Sequence, residues 1–119
     1  MGIRSEVAFA AKPNVVNNLT TESRATLLRY FGEPTETTDE GTLWFVEGIK
    51  WYSTAYDDLI ALYKDLGENH AFDQVDYFLI EACYDYPEHG SEADIGEWYD
   101  NPWGVTKNIS VSVDFELTV

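Results

Sequence analysis

The sequence predicts an α+β domain: a mostly antiparallel sheet of four to five strands with two helices packed on one face. Three observations carry that prediction. Ile3–Lys12 begins with alternating character, and apolar residues alternate strictly with polar ones over Ile109–Val119, the period of a half-buried strand. Leu59, Leu62, Tyr63 and Leu66 recur at helical spacing. Strand-type and helix-type stretches follow one another in the order β-α-β-(β)-α-β-β, which a two-layer domain accommodates.

In chain order, Ile3–Lys12 reads as a strand with Val7, Phe9 and Ala11 on one face. Pro13 ends it and suits the first position of a helix, where its missing N–H costs nothing. Val15, Val16 and Leu19 fit a short helical turn. Thr20 or Thr21 then caps a continuation whose Leu27, Leu28 and Phe31 point inward, with Gly32 and Pro34 as its stop. Glu33–Gly41 is polar and acidic and reads as an exposed loop. Thr42–Tyr52 is the densest apolar stretch, interrupted by Glu47-Gly48. A straight strand would put Glu47 on the face of Leu43 and Phe45, so a bulge or a tight hairpin at Gly48 is expected. Ser53 or Thr54 is placed to cap the next helix, with Asp57 and Asp58 in its first turn and Gly67 at its end. Val75–Tyr84 is another strand, with Phe78, Ile80 and Ala82 on one face and Val75, Tyr77, Leu79 and Cys83 on the other. Asp85–Gly104, with its glycines, prolines and acids, reads as a long loop of the kind that usually carries function or disorder. The strict alternation of Ile109, Val111, Val113, Phe115, Leu117 and Val119 with polar residues predicts one final antiparallel strand. If Gly48 makes a hairpin, the first six elements match a ferredoxin-like βαββαβ with an extra C-terminal strand.

The whole chain, residues 1–119, is expected to form a single domain, long enough to bury a core without staples. Its one cysteine, Cys83, lies in an apolar run and reads as a small core residue. No run approaches the ~18 apolar residues of a membrane span, and the start of the chain does not make a secretory signal. The cytoplasm is the expected compartment.

Charge is the feature that points beyond the fold. The formal net charge is −15. Residues 1–32 carry Arg4, Lys12, Arg24 and Arg29 against Glu6 and Glu22, and the remainder carries only Lys50, Lys64 and Lys107 against twenty acids. From Asp65 to Thr106 there is no lysine or arginine, yet there are eleven acids. Such a field repels phosphate backbones and anionic membranes and attracts basic surfaces. Among these acids stand many aromatic residues, which disordered acidic tails lack. The candidate partner-binding residues are Asp85, Glu88, Glu92, Asp94, Glu97, Trp98, Tyr99, Asp100 and Trp103. An exposed aromatic ringed by acids is how an anchor with an electrostatic rim would be written. The alternative use of these rings is a lid folded back over the sheet.

Signals for catalysis are thin. There is no glycine-rich phosphate loop, no H-E-x-x-H, no paired C-x-x-C and no nucleophile elbow. No catalytic residue, metal site or cofactor is expected. His89 with its neighbouring acids matches no calcium-loop spacing, and Asp57/Asp58 serve better as helix-start charges than as an acid–base pair.

The opening Ile3-Arg4-Ser5-Glu6-Val7-Ala8 strand, the Gly48-Ile49-Lys50-Trp51-Tyr52 segment and the acidic stretch before a final strand resemble small acidic proteins of bacteriophages and prophages. That group has no assigned activity, so the resemblance carries over no site residue. It implies a setting, the host bacterial cytoplasm, in which small acidic products inhibit host machinery, some anti-restriction and anti-CRISPR proteins by imitating the charge of DNA. The expected function is a non-catalytic inhibitor whose acidic face occupies a basic, nucleic-acid-binding surface of a host defence or transcription protein, as a monomer or homodimer, with no direct contact to nucleic acid or membrane. The alternatives are a self-associating structural protein pairing through its C-terminal edge strand, and a small-ligand or metal-binding module built on the Asp85–Gly104 loop.

Overall fold

The computed structural model describes residues 4–83, 93–108 and 112–118. Its elements are β1 (Ser5–Ala11), α1 (Pro13–Asn18), α2 (Thr21–Phe31), β2 (Glu36–Thr38), β3 (Gly41–Ile49), α3 (Asp57–Glu68), a 3₁₀ turn (Gln74–Asp76), β4 (Tyr77–Cys83), β5 (Ile95–Gly96), β6 (Thr106–Asn108) and β7 (Ser112–Asp114). The first five strands pair antiparallel in the order β2-β3-β1-β4-β5, and β6 and β7 form a separate two-stranded sheet. This is the α+β class the sequence predicts. With α1 and α2 counted as one crossover, the β2-β3-β1-β4 order is that of a βαββαβ chain in which β3 separates β1 from β2.

The hairpin that makes this topology does not lie at Gly48. It joins β2 to β3 through Asp39 and Glu40, with Thr38 opposite Gly41, inside the stretch expected to be a loop. A three-residue polar strand gives no periodicity to read. Gly48 takes the other expected role. Ser5 pairs with Ile49 and Val7 with Val46, so β3 holds one extra residue there, and Gly48 sits at φ +70°. The insertion switches the parity of the strand. Trp44 and Val46 before it and Ile49 and Trp51 after it all join the same core cluster, while Glu47 is left in solvent.

β1 is central, and both of its faces are buried. Val7, Phe9 and Ala11 share one cluster with Trp44, Trp51, Tyr77 and Leu79 of the sheet side and with Val15, Leu27, Leu59, Leu62 and Leu66 of the helices. Phe9 stacks on Trp44, its cross-strand partner, at 5.3 Å between centroids. Trp51 meets Tyr30, Phe31 and Tyr63 edge-on and donates its indole N–H to the Tyr63 hydroxyl at 2.8 Å. Burial then drives the Tyr63 hydroxyl far above the ordinary tyrosine range. The opposite face of the sheet, Ala8, Ala10, Leu43, Ile80 and Ala82, packs against Trp98, Trp103, Val105 and Val113. Cys83 is buried, as expected of a small core residue.

Four local expectations differ from the structure. Leu28 is 59% exposed, because Leu27 and Phe31 already occupy the inward face of α2. The first helical residue of α3 follows Tyr56, with no side-chain cap from Ser53 or Thr54, although Asp57 and Asp58 do stand in its first turn. Its end lies at Glu68, one residue past Gly67. Finally, the alternating C-terminal run is not one strand. Ser112–Asp114 turns back on Thr106–Asn108, with Lys107 opposite Val113, and the two pack over β4.

Candidate functional site

Trp98, Trp103, Val105 and Val113 carry the layer on the second sheet face, and residues 93–108 hold most of the expected site. Ala93 is buried in the helix-side cluster. Asp94 next to it is a structural carboxylate. Its Oδ1 accepts from the Glu81 backbone N–H at 2.9 Å, and its Oδ2 pairs with Lys107 Nζ at 2.6 Å. Lys107 Nζ also donates to the Glu81 carbonyl at 3.0 Å. β5 pairs with β4 only at Phe78 and Leu79. At Glu81 the edge of β4 is closed instead by two side chains of opposite charge, which satisfies both backbone groups.

β5 itself depends on a close approach. Gly96 stands at φ +88°, and a Cβ there would lie 2.3 Å from the Tyr77 carbonyl oxygen. The chain then crosses the sheet. Trp98 N–H donates to the Tyr77 carbonyl at 3.1 Å, its ring packs against Gly41, and Lys12 Nζ lies 5.6 Å from the ring centroid. Buried Asn101 pins the turn that follows. Its Nδ2 donates to the Trp98 carbonyl, and its Oδ1 accepts from the Trp103 and Val105 N–H groups at 3.2 and 3.1 Å. Trp103 meets Trp98 edge-on at 6.0 Å.

The two tryptophans expected as exposed anchors are therefore core residues, 4% and 1% exposed. Burying a large apolar side chain contributes about 1.5–3 kcal/mol, so offering both rings to a partner would first cost the fold twice that amount. The lid reading holds for them. Tyr99 alone of the three rings faces outward, 66% exposed and edge-on to Phe78 at 5.2 Å. Glu97 and Asp100 flank it in sequence and are exposed. Asp85, Glu88 and Glu92 lie outside the described residues, as does His89.

Sequence reasoning missed three features. Glu81 is 0% exposed, its Oε2 accepting from Ser5 Oγ at 2.5 Å. The strand parity that placed Tyr77, Leu79 and Cys83 inward puts Glu81 among them, so the signal was present. Asn101 looked like an ordinary loop residue. Asp114 and Glu116, read as the solvated face of a strand, join the exposed acids of this layer. Among the described residues no group of three or more His, Cys, Asp or Glu is arranged to hold a metal ion, and no helix is long and apolar enough to cross a membrane. Comparison with family models, curated proteins and solved structures finds no match for the chain.

Proposed function

We propose that the protein is a non-catalytic binder, an inhibitor in effect, that sets an acidic surface against a basic surface of a host protein normally occupied by nucleic acid. One observation supports this reading above the others. Residues 93–108 and 112–118 contribute a single cation, Lys107, which Asp94 holds at 2.6 Å, and Lys12, which reaches the Trp98 ring from the end of β1, is paired with Asp76 at 3.4 Å. The exposed carboxylates of Glu97, Asp100, Asp114 and Glu116 have no ion-pair partner among the described residues, and Tyr99, between Glu97 and Asp100 in sequence, is an exposed ring. Duplex DNA carries a charge every ~1.7 Å of axis, so a competitor for its site needs several free carboxylates together with a contact that resists water. A defence or transcription protein as target, and a phage setting, rest on the sequence resemblance.

The test is retention of lysate proteins on the immobilised protein over a series of salt concentrations. A basic, DNA-binding protein retained at low salt and released as salt rises agrees with the proposal. Recovery of no basic protein at low salt removes it.

A further inference from the structure

A groove of about 740 Å³ opens between the turn pinned by Asn101 and the C-terminal segment, with walls that include Pro102, Trp103, Val113, Asp114, Phe115 and Glu116. Two of its properties are unusual together. Trp103 is 1% exposed, yet its indole N–H has no hydrogen-bond acceptor among the described residues, whereas the equally buried Trp51 donates to Tyr63. A buried indole N–H normally finds a partner. On the same groove, Asp114 and Glu116 are exposed and neither carboxylate has an ion-pair partner among the described residues. A buried unused donor on one wall residue, the half-buried Pro102 and Phe115, and two exposed carboxylates thus line one groove.

We infer that this groove is a docking site for an extended peptide segment bearing lysine or arginine, supplied by the basic partner of the function proposed above, on which this inference rests. A basic residue within a chain matches all three features. Its carbonyl accepts from Trp103 Nε1, its aliphatic stem lies along the half-buried Phe115 and Pro102, and its cation meets Asp114 and Glu116. The indole N–H is shielded from water, so docking includes a small shift of the groove walls that brings the carbonyl to it. Charge complementarity selects this occupant over the others. A nucleic acid or an acidic peptide would be repelled by these carboxylates and by the −15 net charge, and an apolar peptide would leave both carboxylates facing it unpaired.

The test follows the indole N–H resonances of ¹⁵N-labelled protein during titration with a short blocked peptide of alternating glycine and lysine. The Trp103 resonance, assigned with Trp103→Phe, moves downfield as the N–H gains an acceptor, while that of Trp51 stays in place. The double variant Asp114→Asn, Glu116→Gln binds the peptide about tenfold more weakly, roughly the effect of two partly exposed charge pairs. The same peptide with glutamate in place of lysine does not bind. Should Trp103→Phe fail to fold, the wild-type shift and the carboxylate variant still decide. A Trp103 N–H that stays unmoved at saturation, a double variant that binds like wild type, or equal binding of an uncharged apolar peptide overturns the inference. Polylysine separates the two levels. Retention by wild type and double variant alike refutes the groove and spares the acidic-surface proposal, and no binding by wild type at low salt refutes both.

Discussion

Asp65 ties two helix ends together with one carboxylate. Its Oδ2 accepts from the Thr20 N–H and hydroxyl, both at 3.1 Å, and from Ser23 Oγ at 2.6 Å, while Oδ1 accepts from Asn69 Nδ2 at 3.2 Å. Thr20 is itself the N-cap of α2, accepting from the Ser23 N–H at 3.1 Å. Burial raises the Asp65 pKa, but the hydrogen bonds from Ser23, Thr20 and Asn69 outweigh it and hold the carboxyl below its ordinary value. Because the folded pKa is depressed, the folded chain binds fewer protons than the unfolded one as this group titrates. Its contribution is present above about pH 4, the unfolded range, and is lost as pH falls through the folded pKa. Asp65→Ala should lower stability at neutral pH by about 1–2 kcal/mol, seen as a lower urea midpoint. The gap to wild type should narrow as pH is taken below about 4, and a gap that widens instead would exclude this role. Tyr30 behaves differently. Burial, together with its hydrogen bond to Asp58 at 3.0 Å, pushes its hydroxyl up to about 12, so it remains a donor at neutral pH.

At the scale of elements, the C-terminal layer is held by few and specific devices. Lys107 and Asp94 close the edge of β4 where β5 stops. Lys107→Met should leave the Asp94 carboxylate and the Glu81 carbonyl without this donor, at a cost of about 2–3 kcal/mol. Hydrogen exchange at the Glu81 amide should quicken in that variant, and unchanged exchange would argue against side-chain closure of the edge. Gly96→Ala should be at least as damaging, about 2–4 kcal/mol, since it combines a positive φ with a backbone collision at Tyr77. A thermal midpoint equal to wild type would show that β5 does not need this approach. These devices also mark where the sequence was legible. β1 and β4 could be read as apolar runs of strand length, buried on both faces, and the two longer helices because each presents a periodic apolar face to the core. β2 and β5, three and two residues long, carry no period, and close approaches at Gly96 leave no trace in hydropathy. The final run shows the opposite case. Its alternation is real, but nothing in it marks that Ser112–Asp114 pairs with Thr106–Asn108, Lys107 opposite Val113.

Over the whole molecule, the acidic, lysine-free stretch divides into parts with different duties. Asp65 and Asp94 are bound into the structure, Glu81 is buried, and Trp98 and Trp103 form the second core. Glu97, Tyr99 and Asp100 remain on the surface, joined by Asp114 and Glu116 from beyond the stretch. Composition showed the excess of acid, and spacing showed which rings could be anchors. Which acids stay free depends on three-dimensional pairing, and the aromatic residues of a loop that covers a sheet read the same as those of a loop that reaches for a partner. The most direct measurement is displacement from DNA. Host lysate proteins bound to a duplex-DNA column at about 50 mM salt, where surface charges are weakly screened, are eluted with this protein. In parallel they are eluted with a variant carrying Glu97→Gln, Asp100→Asn, Asp114→Asn and Glu116→Gln. A discrete basic protein should be released by the wild type and retained against the variant. Release of nothing, or equal release by both proteins, would contradict the proposal that the free carboxylates of this layer are what a partner recognises.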